Sequence, residues 1–168
     1  MLVLVTGATG KVGRHFIDRL LADRKWVDAR VRALCHNRRF PENDRVESRF
    51  GSISDRDVCA RAMSDVTHVV HLATCKETPV DVIDVTVKGL FWLLEEFRSS
   101  ATARQFILVG GDAGVGHFFY RHEDPITEAT PHMAYPAATR SQRCLRRSCL
   151  SSSASSTIST AAAYAPRG

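Results

Sequence analysis

The sequence predicts an α/β chain built on a doubly wound parallel sheet, and three observations predict it. Apolar runs of strand length alternate with segments of helical period from residue 2 to about 110. The first run leads without a break into a glycine turn, Thr6-Gly7-Ala8-Thr9-Gly10-Lys11-Val12-Gly13. At 168 residues, 44% of them hydrophobic, the chain has the material for one domain with a core of its own.

Leu2–Val5, four apolar residues, reads as a strand buried on both faces. Val12, Phe16, Leu20 and Leu21 then recur at helical spacing, so a helix opens on the glycine turn. Ala29–Leu34 reads as a second strand. A polar stretch containing Pro41, too short for a full crossover helix, leads to a third strand near Val46–Phe50. Ser54 with Asp57 three residues on forms a capping-box pattern for a short helix through Ala62. Thr67–Leu72 is the fourth strand. Pro79 starts a long helix carrying Val82, Val85, Val87, Leu90, Leu93, Leu94 and Phe97, and Gln105–Val109 is the fifth strand.

The glycines stand first, fourth and seventh in their turn. Such spacing gives a tight turn, close approach of backbone to a pyrophosphate, and close packing of helix on strand. The phosphates sit at the helix N-terminus, where unpaired N–H groups and the helix dipole favour negative charge. Gly7, Thr9, Gly10, Lys11, Val12 and Gly13 are therefore candidate dinucleotide-binding residues in a Rossmann-like sheet. A structural turn or a mononucleotide loop are the alternatives. A Walker-type loop is excluded, because no Gly-Lys-Ser/Thr follows.

Composition narrows the function. No stretch reaches the length of a membrane span, and the first strand leaves no room for a signal peptide, so a cytoplasmic protein without membrane contact is expected. The five cysteines lack paired metal spacing and read as reduced thiols; the histidines form no ligand pattern, so no metal is expected. The net charge of +5 does not point to nucleic acid. All 18 acidic residues fall within 1–135, and the surplus is carried by Arg140, Arg143, Arg146, Arg147 and Arg167. From about Ala137 hydrophobic periodicity fades into Ser, Ala, Thr and Arg. The division is thus a dinucleotide-binding domain over 1–135 and a low-complexity tail over 136–168. Five strands without a sixth leave the fifth as an unpaired edge, with weak stability or self-association, including a homo-oligomer, as the consequence.

Residues 1 to about 135 resemble the extended short-chain dehydrogenase/reductase family, the NAD(P)-dependent epimerases and dehydratases. The carriers are TGATGKVG at 6–13, GSISD at 51–55, HVVHLAT at 68–74, DVTVKGLFWLLE at 84–95, FILVGGDAGV at 106–115 and PITEATP at 125–131. The resemblance implies that Ser52 and Ile53 touch the adenine, with Ser where an Asp is usual. It implies that Leu72, Ala73 and Thr74 line the ribose side of the cofactor, and that Thr86 replaces an anchoring Asn. It also implies an oxidoreductase or epimerase acting on a nucleotide-sugar, a hydroxysteroid-like alcohol or a similar carbonyl compound.

The catalytic half departs from that pattern. The family's Ser or Thr after the fifth strand is matched by Asp112, and Tyr135 is followed four residues later by Thr139 in place of the Lys of a Tyr-x-x-x-Lys pair. A Tyr without a cationic neighbour keeps a pKa near about 10 and is a poor base at neutral pH. No catalytic residue is assigned, and the chain as written is expected to be inactive. A non-catalytic NADP(H)-binding or redox-sensing protein is the alternative reading. For the cofactor, the second strand ends in Leu34-Cys35-His36-Asn37-Arg38-Arg39, without the carboxylate that holds the ribose hydroxyls of NAD. NADP is expected over NAD, with Arg38 or Arg39 pairing the 2′-phosphate bidentately, unless both are solvated loop residues.

The tail also reads as family sequence in a shifted frame. Pro136–Arg143 can be encoded so that a one-base shift yields Gly-Cys-Tyr-Ala-Leu-Ser-Lys, and the same shift through Cys144–Leu150 permits an amphipathic helix. Carried on to Ala161–Gly168, it permits Leu-Arg-x-Pro, which resembles the family's sixth strand. A genuine disordered tail is the rival.

Overall fold

The computed structural model describes residues 1–74, 81–110, 121–122, 125–127, 129–131 and the strand 157–162. Its strands are β1 (Leu2–Thr6), β2 (Arg30–Cys35), β3 (Val46–Phe50), β4 (His68–His71), β5 (Gln105–Gly110) and β6 (Thr157–Ala162). They form one sheet in the order β3-β2-β1-β4-β5-β6, every pair parallel. The chain builds outward from β1 to β3, then returns to the other side of β1 with β4. That reversal opens a crevice at the carboxyl ends of β1 and β4, where sheets of this type take their ligands.

Alternation along the strands assigns the two faces. Leu4, Val69 and Phe106 point to one face, where they pack with α2 (Arg56–Met63) and α3 (Gly89–Ser99). Val3, Val5, Val31, Ala33 and Val70 point to the other, under Ile17 of α1 (Lys11–Ala22). Phe106 is fully buried and meets Phe97 of α3 edge-on, with ring centroids 5.5 Å apart. Truncating such a side chain to alanine costs about 3–5 kcal/mol. Arg45 fastens the far end of the sheet. Its guanidinium donates to the carbonyls of Leu21 and Ala29, each at 3.0 Å, and of Trp26 at 2.6 Å.

Four expectations change. The fifth strand is not an edge, because β6 pairs with it from Gln105 to Gly110. β-branched Thr157, Ile158 and Thr160 supply strand propensity that the surrounding Ser/Ala bias conceals. Val12 does not join the buried stripe of α1; it is 58% exposed in the first turn, and Ile17 takes the core position. The cap of α2 is Asp55 rather than a Ser54–Asp57 box. Its carboxylate accepts from the N–H groups of Asp57 and Val58, while the Ser54 hydroxyl is engaged with Ser52 at 2.8 Å. Finally, the long helix before β5 begins as a widened π-helical segment, Val82–Lys88, before tightening into α3. Pro79 lies outside the described residues, as do Asp112, Tyr135 and Thr139.

Candidate functional site

A cavity of about 590 Å³ lies at the carboxyl ends of β1, β2, β3 and β4. Its floor is the glycine turn after β1. Gly7 has φ +69°, and a Cβ there would come within 2.9 Å of the Ala73 nitrogen and the Leu72 carbonyl carbon. Gly13 is tighter still, since its Cβ would lie 2.3 Å from the Gly7 oxygen and 2.8 Å from Ala8 Cα. Only glycine at both positions lets α1 start this close to the strand. Gly10 caps α1 without a side-chain hydrogen bond, and no acidic residue stands in the first turn. The helix therefore presents unpaired N–H groups and the positive end of its dipole beside the cavity.

The opposite lip is held down by a polar pair at two strand ends. Thr6 and His71 are fully buried, with Thr6 Oγ1 2.8 Å from His71 Nδ1. The same hydroxyl accepts from the Ala73 N–H at 3.1 Å, and the Thr6 carbonyl accepts from the Leu72 N–H at 3.2 Å. These bonds fold the Leu72–Thr74 segment over Gly7. The signal in the sequence was a polar residue closing each of two apolar strands, and it was not read as a site feature.

The cavity brings together most of the sequence candidates. Gly7, Thr9 and Gly10 line it from below, Arg38 from the loop after β2, Ser52 and Ile53 from the loop after β3, and Leu72, Ala73 and Thr74 from the end of β4. Lys11, Val12, Gly13 and Arg39 lie outside its lining. The two arginines part company. Arg38 Nη2 reaches toward the Thr9 carbonyl at 3.5 Å, at the cavity's edge, whereas the Arg39 guanidinium lies over the exposed Phe50 ring, 5.6 Å from its centroid. His36, Asn37, Asp81 and Val85 also line the cavity and were not among the candidates. Thr86 is buried just beyond them.

The buried Cys59 thiol is no nucleophile for this site. Burial, helped by the negative charges of Asp55 and Glu96, pushes the Cys59 thiol up to about 12. Among the described residues, no group of three or more His, Cys, Asp or Glu could hold a metal ion, and no helix is long and apolar enough to cross a membrane.

The profile of the NAD dependent epimerase/dehydratase family fits residues 3–162. The chain belongs to that family. A 3 beta-hydroxysteroid dehydrogenase/Delta 5→4-isomerase of Mycobacterium tuberculosis is 28% identical over 138 residues, covering 79% of this chain and 34% of the relative. Among solved structures, a short-chain dehydrogenase/reductase superfamily protein from Agrobacterium tumefaciens with bound NAD is 26% identical. Its TM-score is 0.76 over 96% of this chain and 48% of that one. The Bordetella bronchiseptica enzyme WbmH, solved with NAD+, shares the fold at 17% identity, with a TM-score of 0.80 over 96% of this chain and 55% of its own. The chain thus spans about a third of that curated relative and about half of these solved proteins.

Proposed function

We propose that the chain binds NADP(H) in the crevice at the carboxyl ends of its strands, as an NAD(P)-dependent oxidoreductase- or epimerase-type protein for a small-molecule alcohol or carbonyl substrate. The observation that carries the reading is the cradle. The close approach of Gly7 to Ala73 and of Gly13 to Gly7 seats the start of α1 against the end of β1, where its first backbone N–H groups can receive a pyrophosphate. The NAD-bound relatives support the nicotinamide dinucleotide class. For the 2′-phosphate, the loop after β2 offers Arg38, His36 and Asn37 to the cavity and no carboxylate. A guanidinium at that edge pairs a phosphate bidentately, where NAD proteins of this architecture hold ribose hydroxyls with Asp or Glu.

When bound, the nicotinamide supplies hydride transfer. The glycine turn and the N-terminus of α1 would hold the phosphates of the dinucleotide, while the Thr6–His71 pair keeps Leu72–Thr74 folded over Gly7. Proton transfer is the missing part. Tyr135 has Thr139 where a lysine would lower its pKa, so the chain as written is proposed to bind the dinucleotide without turning over substrate. That same feature favours the second reading, a non-catalytic NADP(H)-binding or redox-sensing protein. Titration of the purified chain with NADPH and NADH, followed by nicotinamide fluorescence, tests the proposal. Saturable NADPH binding at least about tenfold tighter than NADH binding is expected, equivalent to about 1.4 kcal/mol. Equal affinities would remove the NADP assignment, and absence of binding by either would remove the function.

A further inference from the structure

The turn after α1 holds two large apolar side chains in water. Trp26 is 41% exposed and Val27 is 63% exposed, the most open large hydrophobic among the described residues. Loose packing does not put them there, because the backbone that carries them is fixed from both sides. The Trp26 N–H donates to the Asp23 carbonyl at 3.0 Å. The Trp26 carbonyl accepts from the Ala29 N–H at 2.9 Å and from the Arg45 guanidinium at 2.6 Å. The Asp23 carboxylate closes the start of the turn by accepting from the Lys25 N–H at 2.9 Å.

The charges around this turn are mainly positive. Residues 19–30 carry Arg19, Arg24, Lys25 and Arg30 against Asp23 and Asp28, all on exposed residues. Among the described residues none of these four cations takes part in an ion pair. An indole favours the boundary between water and acyl chains, where its ring is buried and its N–H stays wet. Lys and Arg beside it are drawn to the negative surface of anionic lipids. A protein partner would need a broader apolar face than two adjacent side chains on a tight turn. We propose that the Arg24–Val27 turn docks on an anionic lipid bilayer, with Trp26 and Val27 entering the interface and Arg24 and Lys25 meeting the headgroup phosphates. Contact of this kind needs no membrane-spanning segment, whose absence underlies the sequence expectation of no membrane contact. The turn follows the C-terminal end of α1, while the other end of that helix borders the cavity about 18 Å away, so docking leaves the crevice uncovered.

Co-sedimentation of the full chain with sucrose-loaded vesicles tests the proposal, using phosphatidylcholine alone and phosphatidylcholine with about one third phosphatidylserine. The wild type is expected to bind the anionic vesicles at least about tenfold more strongly than the neutral ones, and added salt should erase most of that preference. Val27→Glu, and separately Trp26→Ser with Val27→Ser, should each weaken binding to anionic vesicles by at least about tenfold. Arg24→Gln with Lys25→Gln should bring the preference to within about threefold. A wild type that does not sediment with anionic vesicles overturns the inference. So does one that self-associates through this turn instead, seen as a concentration-dependent mass that Val27→Glu abolishes. Vesicle binding that survives Val27→Glu at the wild-type melting temperature also overturns it, because the contact then lies elsewhere, as on the arginines at 140–147.

Discussion

Adding a single methyl group at Gly13 tests the cradle without touching any charge. In Gly13→Ala the new Cβ lies 2.3 Å from the Gly7 oxygen, about 1 Å inside ordinary van der Waals contact. The other near atoms, Ala8 Cα at 2.8 Å and the Ala8 oxygen at 3.0 Å, are also backbone, so no rotamer change relieves the overlap. The start of α1 must move away from the turn by a comparable distance. Overpacking of this kind costs about 1–3 kcal/mol, which in a chain of this size lowers the melting temperature by roughly 2–12 °C. The same movement drags the first N–H groups of the helix off the pyrophosphate position, so NADPH affinity should fall by at least about tenfold. Gly10→Ala is the graded control, since its Cβ meets only the Gly7 oxygen, at 3.1 Å. Val12→Ala, at a side chain 58% exposed, should change stability by less than about 0.5 kcal/mol. Differential scanning fluorimetry and fluorescence titration read the series. Gly13→Ala melting within about 2 °C of wild type with unchanged NADPH affinity would show that the turn does not need glycine there.

Arg32 is a buried guanidinium that donates to the carbonyls of Ala62 and Ser64 at the end of α2 and pairs with Glu47. Arg32→Met should cost about 1–3 kcal/mol through the stranded carbonyls, and Arg32→Lys should recover little of it, as judged by urea melts. With its thiol held near about 12, Cys59 should stay unmodified by iodoacetamide at pH 8 in the native chain and react in urea, as mapped by peptide mass spectrometry; modification at the rate of a free thiol contradicts its burial. Burial and the Arg104 charge hold the His68 imidazole below its ordinary pKa, so the native state resists protonation that the unfolded chain accepts. Stability should fall as pH drops below the ordinary histidine range, and His68→Gln should flatten that slope in pH-dependent melts. Sequencing the coding DNA tests the shifted frame. A gene in which no single-base shift near codon 136 opens a frame encoding a Tyr-x-x-x-Lys removes the proposal that residues from Pro136 onward are read out of frame.

Where one residue type does one job, the sequence was readable. Apolar runs located β1, β4 and β5, since strands buried between helix layers need apolar residues on both faces, and the glycine turn marked the crevice. Features requiring partners distant in sequence were hidden. The Ser/Ala/Thr composition of Thr157–Ala162 does not announce a strand until Gln105–Gly110 is available to pair with it. Two adjacent arginines look equivalent until Phe50 draws Arg39 away and leaves Arg38 at the cavity. Asp81 escaped notice because the widened turns that follow it, and the contact of Ile53 with Gly89, are set by packing rather than by a motif. Asp55 outcompetes Ser54 as a cap because a carboxylate takes both free N–H groups while the serine is occupied.

The carboxyl-end crevice is proposed to hold NADP(H) by its 2′-phosphate on Arg38. The direct measurement compares NADPH and NADH affinities, by nicotinamide fluorescence, in wild type, Arg38→Ala and Arg39→Ala. Loss of the Arg38 guanidinium should lower NADPH affinity by at least about tenfold and leave NADH within about twofold, while Arg39→Ala, removed from a side chain parked on Phe50, should do neither. An Arg38→Ala chain that binds NADPH as tightly as wild type, or loses both dinucleotides equally, would contradict it.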